Sequence, residues 1–266
     1  MTMNAAPAML VLDERQRAML AEMGVRVWAP LADAPPTPSP EPAFVARAAQ
    51  PVQVPVPTPL VHAAPAVTGR TPARSRPEGV DVMDWAALRG AVAGCQACKL
   101  CEGRTKTVFG VGDERADWLI VGEAPGEHED LQGEPFVGQA GKLLDNMLKA
   151  LGLDRQHKVF IANVLKCRPP GNRNPEPDEM AQCEPYLKRQ VALLQPKIIL
   201  AMGRFAVQAL LQSSEPIGKL RGQVHQYQGV PVVVTYHPAY LLRNLPDKAK
   251  AWADLCAAQA VLRERA

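Results

Sequence analysis

A chain of 266 residues, 47% apolar and 21% charged, can bury one large core or two small ones. Its 30 basic residues barely outnumber its 27 acidic ones, a formal net charge of +3, so affinity for nucleic acid has to come from local clusters. No run of about 18 apolar residues exists to span a membrane, and the start, MTMNAAPAMLVLDERQ, lacks the basic-then-apolar order of a secretory signal. A cytoplasmic protein with six reduced, metal-competent thiols is expected.

Residues 10–28, LVLDERQRAMLAEMGVRVW, read as a short helical island in a segment 1–29. Asp13 can cap a helix running to Met23, Gly24 can end it, and Leu12, Met19, Leu20, Met23 and Trp28 give it an apolar face. That face either docks on its own domain or binds another protein. The run 15–28 resembles the N-terminal peptide of the bacterial clamp-loader psi subunit, which binds the chi subunit. Half of the 26 prolines then fall in 30–77, among Ala, Thr, Ser and Val, without helical or strand period. This stretch is expected to be a disordered, semi-extended tether.

Residues 78–266 read as one compact α/β domain. Four β-branched runs, WLIVG (118–122), VFIANVL (159–165), IILAMG (198–203) and VPVVVTY (230–236), alternate with helical stretches such as 141–152 and 178–194. Such alternation predicts a largely parallel sheet covered on both faces, with its site at the carboxyl ends of the strands. Those ends carry GEAPGEHED, Asn163, MGR and YHPAYLLRN.

Cys95-Gln-Ala-Cys98 is a CxxC, and Cys167 and Cys183 form a second pair. Four thiolates from two distant segments can enclose zinc or a 4Fe–4S cluster, and spacing does not choose between them. In CQACKLC, Cys101 extends the run to C-x2-C-x2-C and competes with Cys183 as a ligand. Cys256, in the apolar stretch WADLCAAQAVL, reads as a buried apolar cysteine.

The loop 121–126 follows a strand, so its amides can form a nest for an anion or a carbonyl. Nucleotide-binding patterns fail here: G-x-G-x-x-G is absent, and Gly141-Lys142 is followed by Leu143 and preceded at the P-loop position by Phe136. What remains is Glu123, further acids at Glu127, Glu129 and Asp130, and Phe136 between glycines and a proline, placed to face a planar ligand. Asn163 in an apolar strand needs partners, from the backbone or a ligand, or it costs about 1–3 kcal/mol. His237 ends the last run, ahead of Tyr240, Leu241, Leu242 and Arg243.

In combination these segments closely resemble family 4 uracil-DNA glycosylases, the iron–sulfur members of that superfamily. The matching stretches are the CxxC with LCEGRTKTVFGVG, then VGEAPGEHEDLQGEPFVGQAGKLLD, FIANVLKCRPPGNRNPEPDE, Cys183 and HPAYLLRN, in that order over residues 95–252. The resemblance implies a three-layer uracil-DNA glycosylase-like fold around a central four-stranded, mainly parallel sheet, with a disordered N-terminal extension. It implies a 4Fe–4S cluster on Cys95, Cys98, Cys167 and Cys183, structural in role, with Cys101 a bystander. It also implies a monomeric, bacterial-type, nucleoid-associated repair enzyme. Such an enzyme flips uracil out of single- or double-stranded DNA and hydrolyses its N-glycosidic bond, leaving an abasic site.

In that scheme the base stacks on Phe136 and is read by Asn163, while Ala124 lines its pocket and Glu129 blocks the thymine methyl. His237 and an amide of the glycine loop donate to uracil O2, which gathers charge as the bond breaks, at ~3–4 kcal/mol per donor. Glu123 orients water or offsets the sugar cation, with Asp130 in reserve. Leu241, Leu242 and Arg243 fill the gap in the duplex, and Lys166, Arg168, Arg173, Lys219, Arg221 and Arg243 grip phosphates. The direct run NVLKC (163–167) lacks the inserted basic loop ending in His of covalently trapping relatives, so turnover is expected. A damage-sensing, metal-bearing DNA-binding module without catalysis is the alternative; it has no use for an anion-stabilising Asn163–His237 pair.

Overall fold

The computed structural model describes residues 14–23 and 76–265. The rest of the island 1–29, and all of the expected tether 30–77 except Arg76 and Pro77, lie outside them. The first elements are α1 (Glu14–Glu22), α2 (Trp85–Ala93), α3 (Leu100–Gly103), β1 (Val111–Gly112), β2 (Trp118–Gly122) and α4 (Glu127–Gln132). Next come α5 (Gln139–Ala150), β3 (Val159–Asn163), α6 (Pro177–Leu194), β4 (Ile198–Met202) and α7 (Arg204–Leu211). The chain ends with α8 (Ile217–Leu220), β5 (Val224–Tyr227), β6 (Val230–Thr235), α9 (Pro238–Arg243) and α10 (Asp247–Arg263).

The four apolar runs become the centre of the sheet. β3, β2, β4 and β6 are neighbours in that order, and each adjacent pair is parallel. The sheet is wider than the expected four strands: β1 adds antiparallel to β3 and β5 antiparallel to β6, giving six in the order β1-β3-β2-β4-β6-β5. These edges escape a search for apolar runs. β1 is two residues long, and VHQY of β5 is half polar and half exposed.

Side chains alternate between the two faces of a strand, so each strand feeds two cores. Leu119, Val121, Phe160 and Ile199 pack on one side with Leu88 of α2, Tyr186 of α6 and Val207 of α7. Trp118, Ile120, Ile161 and Leu200 pack on the other with Leu144 of α5 and Trp252 of α10. Burial on both faces is why these strands are continuously apolar in sequence. Local chemistry sets the helix starts: Asp84 accepts from Ala87 N (2.8 Å) to cap α2. Glu176 and Glu179 form a capping box on α6, with Pro177 in its first turn.

α1 lies on the same domain. Leu20 and Met23 are each 2% exposed, Met19 packs on the core beneath α5 and α10, and Lys248 Nζ donates to Met23 O (2.9 Å). Of the two readings left open for this helix, its described residues take the docked one. Cys256, expected to be buried, is exposed on α10. Among the described residues no helix is long and apolar enough to cross a membrane.

Candidate active site

The carboxyl ends of the four parallel strands converge on one cavity of about 790 Å3. Glu123 follows β2, Asn163 closes β3, Gly203 and Arg204 follow β4, and His237 follows β6, all lining it. This is the crevice that the strand order of an open α/β sheet creates.

Phe136 forms one wall. Its backbone sits at φ 57°, unusual for a bulky residue, and needs outside support. Arg155 provides it: Nη2 donates to Phe136 O (2.9 Å) and Nη1 to Pro135 O (3.3 Å), while Asp145 Oδ1 accepts from Nε at 2.9 Å. Two glycines make room. A Cβ on Gly141 would collide with the Phe136 backbone, and one on Gly122 would overlap both the Phe136 ring and Asn163 Oδ1. The ring centroids of Phe136 and His237 are 5.4 Å apart at an interplanar angle of 31°.

Asn163 is 2% exposed, and its Oδ1 has no hydrogen-bond partner. An orphaned buried acceptor in a polar cavity is costly, and a ligand donor would relieve the cost. His237 is the N-cap of α9: its Nδ1 accepts from Ala239 N at 3.2 Å. An accepting Nδ1 places the ring proton on Nε2. Burial, reinforced by the Arg243 guanidinium and opposed by Glu129, pushes the His237 pKa down to about 4, so the ring is neutral at pH 7. Glu123 goes the other way: burial raises its carboxyl to about 7, against the pull of Arg204. The cavity therefore offers an orphaned acceptor, a neutral imidazole donor, an aromatic wall and a carboxyl that titrates near neutrality.

The family model of the uracil DNA glycosylase superfamily matches residues 109–256, more than half of the chain and all four strand ends. The chain belongs to that superfamily. It is 47% identical over 166 residues to the type-4 uracil-DNA glycosylase of Sulfurisphaera tokodaii, covering 59% of this chain and 75% of that protein. The type-4 enzyme of Archaeoglobus fulgidus is 45% identical over 159 residues, covering 57% and 79%. That of Pyrobaculum aerophilum is 43% identical over 181 residues, covering 65% of this chain and 92% of the relative.

Within this glycosylase domain the structure brings Glu123, Ala124, Glu129, Phe136, Asn163, His237 and Arg243 to the same cavity. Four other expectations need correction. Asp130 is buried away from it, accepting from Thr105 N (2.9 Å) and from Lys106 N (3.4 Å), and is spent on folding that loop. Leu241 is 0% exposed in the core, so it does not reach DNA; its neighbour Leu242, 42% exposed, can. Lys166 is 1% exposed and cannot grip a phosphate. Arg221 is committed to Asp254 (2.7 and 2.8 Å).

Arg173 is held by Glu179 (2.6 and 2.9 Å), though it still lines the rim. Arg168 donates to Asn172 Oδ1 (2.7 Å) and stays partly open. Glu129 is fixed by the amides of Gly126 (3.0 Å), Val137 (3.1 Å) and Gly138 (3.3 Å). Sequence reasoning assigned nothing to Arg155 or Arg204. Arg204 had a signal, standing in the MGR strand end; Arg155, remote from every motif, had none.

Cys95, Cys98, Cys167 and Cys183 line one small enclosed cavity in the glycosylase domain, together with Cys101 and Arg104. Arg104 Nη1 donates to Cys167 Sγ at 3.2 Å. Burial and the neighbouring thiols push Cys167 up to about 11 and Cys183 up to about 12, against Arg104 and the Lys166 backbone amide respectively. Thiols like these lose their protons to metal and not to solvent at neutral pH. Among the described residues no group of three His, Cys, Asp or Glu side chains is arranged to hold a single metal ion. The donor set is soft and sulfur-only, which fits either a structural zinc ion or an iron–sulfur cluster.

Proposed function

We propose that this chain is a monofunctional uracil-DNA glycosylase of the type-4 kind, acting as a monomer in base excision repair. The observation that carries the reading is the orphaned Oδ1 of buried Asn163 beside the Phe136 wall. Uracil offers N3–H to that oxygen and O4 to the amide nitrogen. Cytosine presents an acceptor and a donor in those places, opposing both, and a buried mismatch of that kind discriminates strongly. The extruded base stacks on Phe136, worth about 1–3 kcal/mol. Glu129, immobilised by its amides at the cavity wall, is the group set against the methyl of thymine.

As the glycosidic bond lengthens, the sugar becomes cationic and charge gathers on uracil O2. The neutral His237 donates Nε2–H to that oxygen, joined by a backbone amide of the 122–126 loop at Ala124. Both donors are in place before charge develops, so they cost no reorganisation at the transition state. The Glu123 carboxylate orients the attacking water or faces the cationic sugar; Arg204 beside it keeps part of its population ionised at neutral pH. Leu242 enters the duplex gap, with Arg243, Arg168 and Arg173 toward phosphates.

A 4Fe–4S cluster on Cys95, Cys98, Cys167 and Cys183 would tie the α2–α3 segment to β3 and α6. When bound it supplies a structural cross-link, since glycosidic hydrolysis moves no electrons. A second protein binding the apolar side of residues 10–28, such as a clamp-loader chi-like partner, would have to displace the docking of α1.

Incubation with a uracil-containing oligonucleotide, then hot alkali, tests the reading. A break at uracil and none at thymine or cytosine is expected; intact uracil strands at stoichiometric enzyme would overturn it. Iron and a brown colour are expected of the purified protein, and zinc without iron would overturn the cluster assignment.

A further inference from the structure

Lys166 is used by none of the steps above, yet its side chain is buried with a full set of partners. Nζ donates to Gln190 Oε1 (2.7 Å), to the backbone oxygen of Asn163 (2.8 Å) and to that of Phe109 (3.3 Å). Three acceptors around one nitrogen call for three N–H groups, which only the ammonium has. Gln190 is itself buried and donates from Nε2 to the same Phe109 oxygen (2.9 Å). No carboxylate pairs with Lys166 among the described residues, although a buried cation without a counter-charge is strongly disfavoured. Lys166 does line the cysteine cavity, next in sequence to Cys167 and together with Cys183. Gln190 stands on α6, the helix that carries Cys183.

We propose that Lys166 is a positioning residue joining the cysteine site to the base-reading edge. Its ammonium offsets the negative charge of the ligated thiolates, and by gripping the Asn163 carbonyl it fixes how Asn163 Oδ1 enters the cavity. This rests on the cluster and on uracil reading by Asn163. The deletion of one cation beside an anionic cluster makes its reduction less favourable, while the loss of the carbonyl grip lets the Asn163 edge swing.

The test uses the full-length, iron-loaded protein and its variants Lys166→Met and Gln190→Leu. Lys166→Met is expected to shift the cluster's reduction potential to more negative values and to slow single-turnover uracil release about tenfold or more. Gln190→Leu keeps the charge but removes one anchor, so release slows severalfold while the potential stays put. A Lys166→Met protein in which either readout is unchanged breaks the proposed link. If that variant yields no holoprotein, Gln190→Leu decides alone, and wild-type release there overturns the proposal. Wild-type protein without iron or without uracil release strikes the functional reading instead.

Discussion

Glu123 and His237 share one cavity, yet burial moves their pKa values in opposite senses, because it disfavours whichever form is charged. His237 stays neutral above about 4, so a rate profile should show no inflection near the ordinary imidazole value. Glu123 should impose one near pH 7, with the rate rising as its carboxylate forms; in Glu123→Gln that limb should vanish and the rate stay low. Stability provides an independent check. With a folded pKa of about 7 against 4.5 unfolded, wild type loses stability as pH rises through that window, and the Gln variant does not. The Tm of Glu123→Gln relative to wild type should therefore be higher at pH 8 than at pH 4.5. An equal difference at both would show that Glu123 is not held in the raised state.

Two neighbouring leucines separate folding from function at the same scale. Leu241→Ala empties a fully buried site and should cost about 2–5 kcal/mol of unfolding free energy. Leu242→Ala should leave stability within about 0.5 kcal/mol yet slow uracil release from duplex more than from single strands. Denaturant titration beside single-turnover rates on both substrates checks the pair. The reverse pattern would mean that Leu241 is the wedge.

Among the elements, the strands were the most legible because burial on both faces leaves a plain apolar signature: β2, β3, β4 and β6 all fall inside the expected runs. The edges were not, since β1 and β5 are short and half exposed and take their conformation from the neighbours they pair with. The site shows the same split. Asn163, His237 and Glu123 stand at strand ends, where sequence position alone says where a side chain emerges. Asp130 and Lys166 misled because a charged side chain gives no sign in sequence that it turns inward to hold a loop. α1 was ambiguous for a related reason: an apolar helical face does not name its partner, and here Leu20 and Met23 meet the domain itself. Removal of residues 1–77 should leave activity on oligonucleotides within about twofold while lowering Tm, because it uncovers the surface beneath Leu20 and Met23. A folded but inactive truncation would contradict that division of labour.

Across the whole molecule, a net charge of +3 hides an uneven arrangement. Arg168, Arg173, Arg204 and Arg243 lie on or near one rim, whereas Arg221 and Lys166 are turned inward to hold the fold. The sheet thus delivers a preorganised set of donors and acceptors to one end and the sulfur site to a neighbouring flank. Such a molecule lowers the barrier by being complementary to a departing pyrimidine anion and not by supplying a strong base. The most direct measurement of that complementarity is the single-turnover rate of uracil release by Asn163→Ala and His237→Ala, each purified with full iron content. Both should fall tenfold or more below wild type while their visible spectra stay the same. Wild-type rates in both variants would contradict the account.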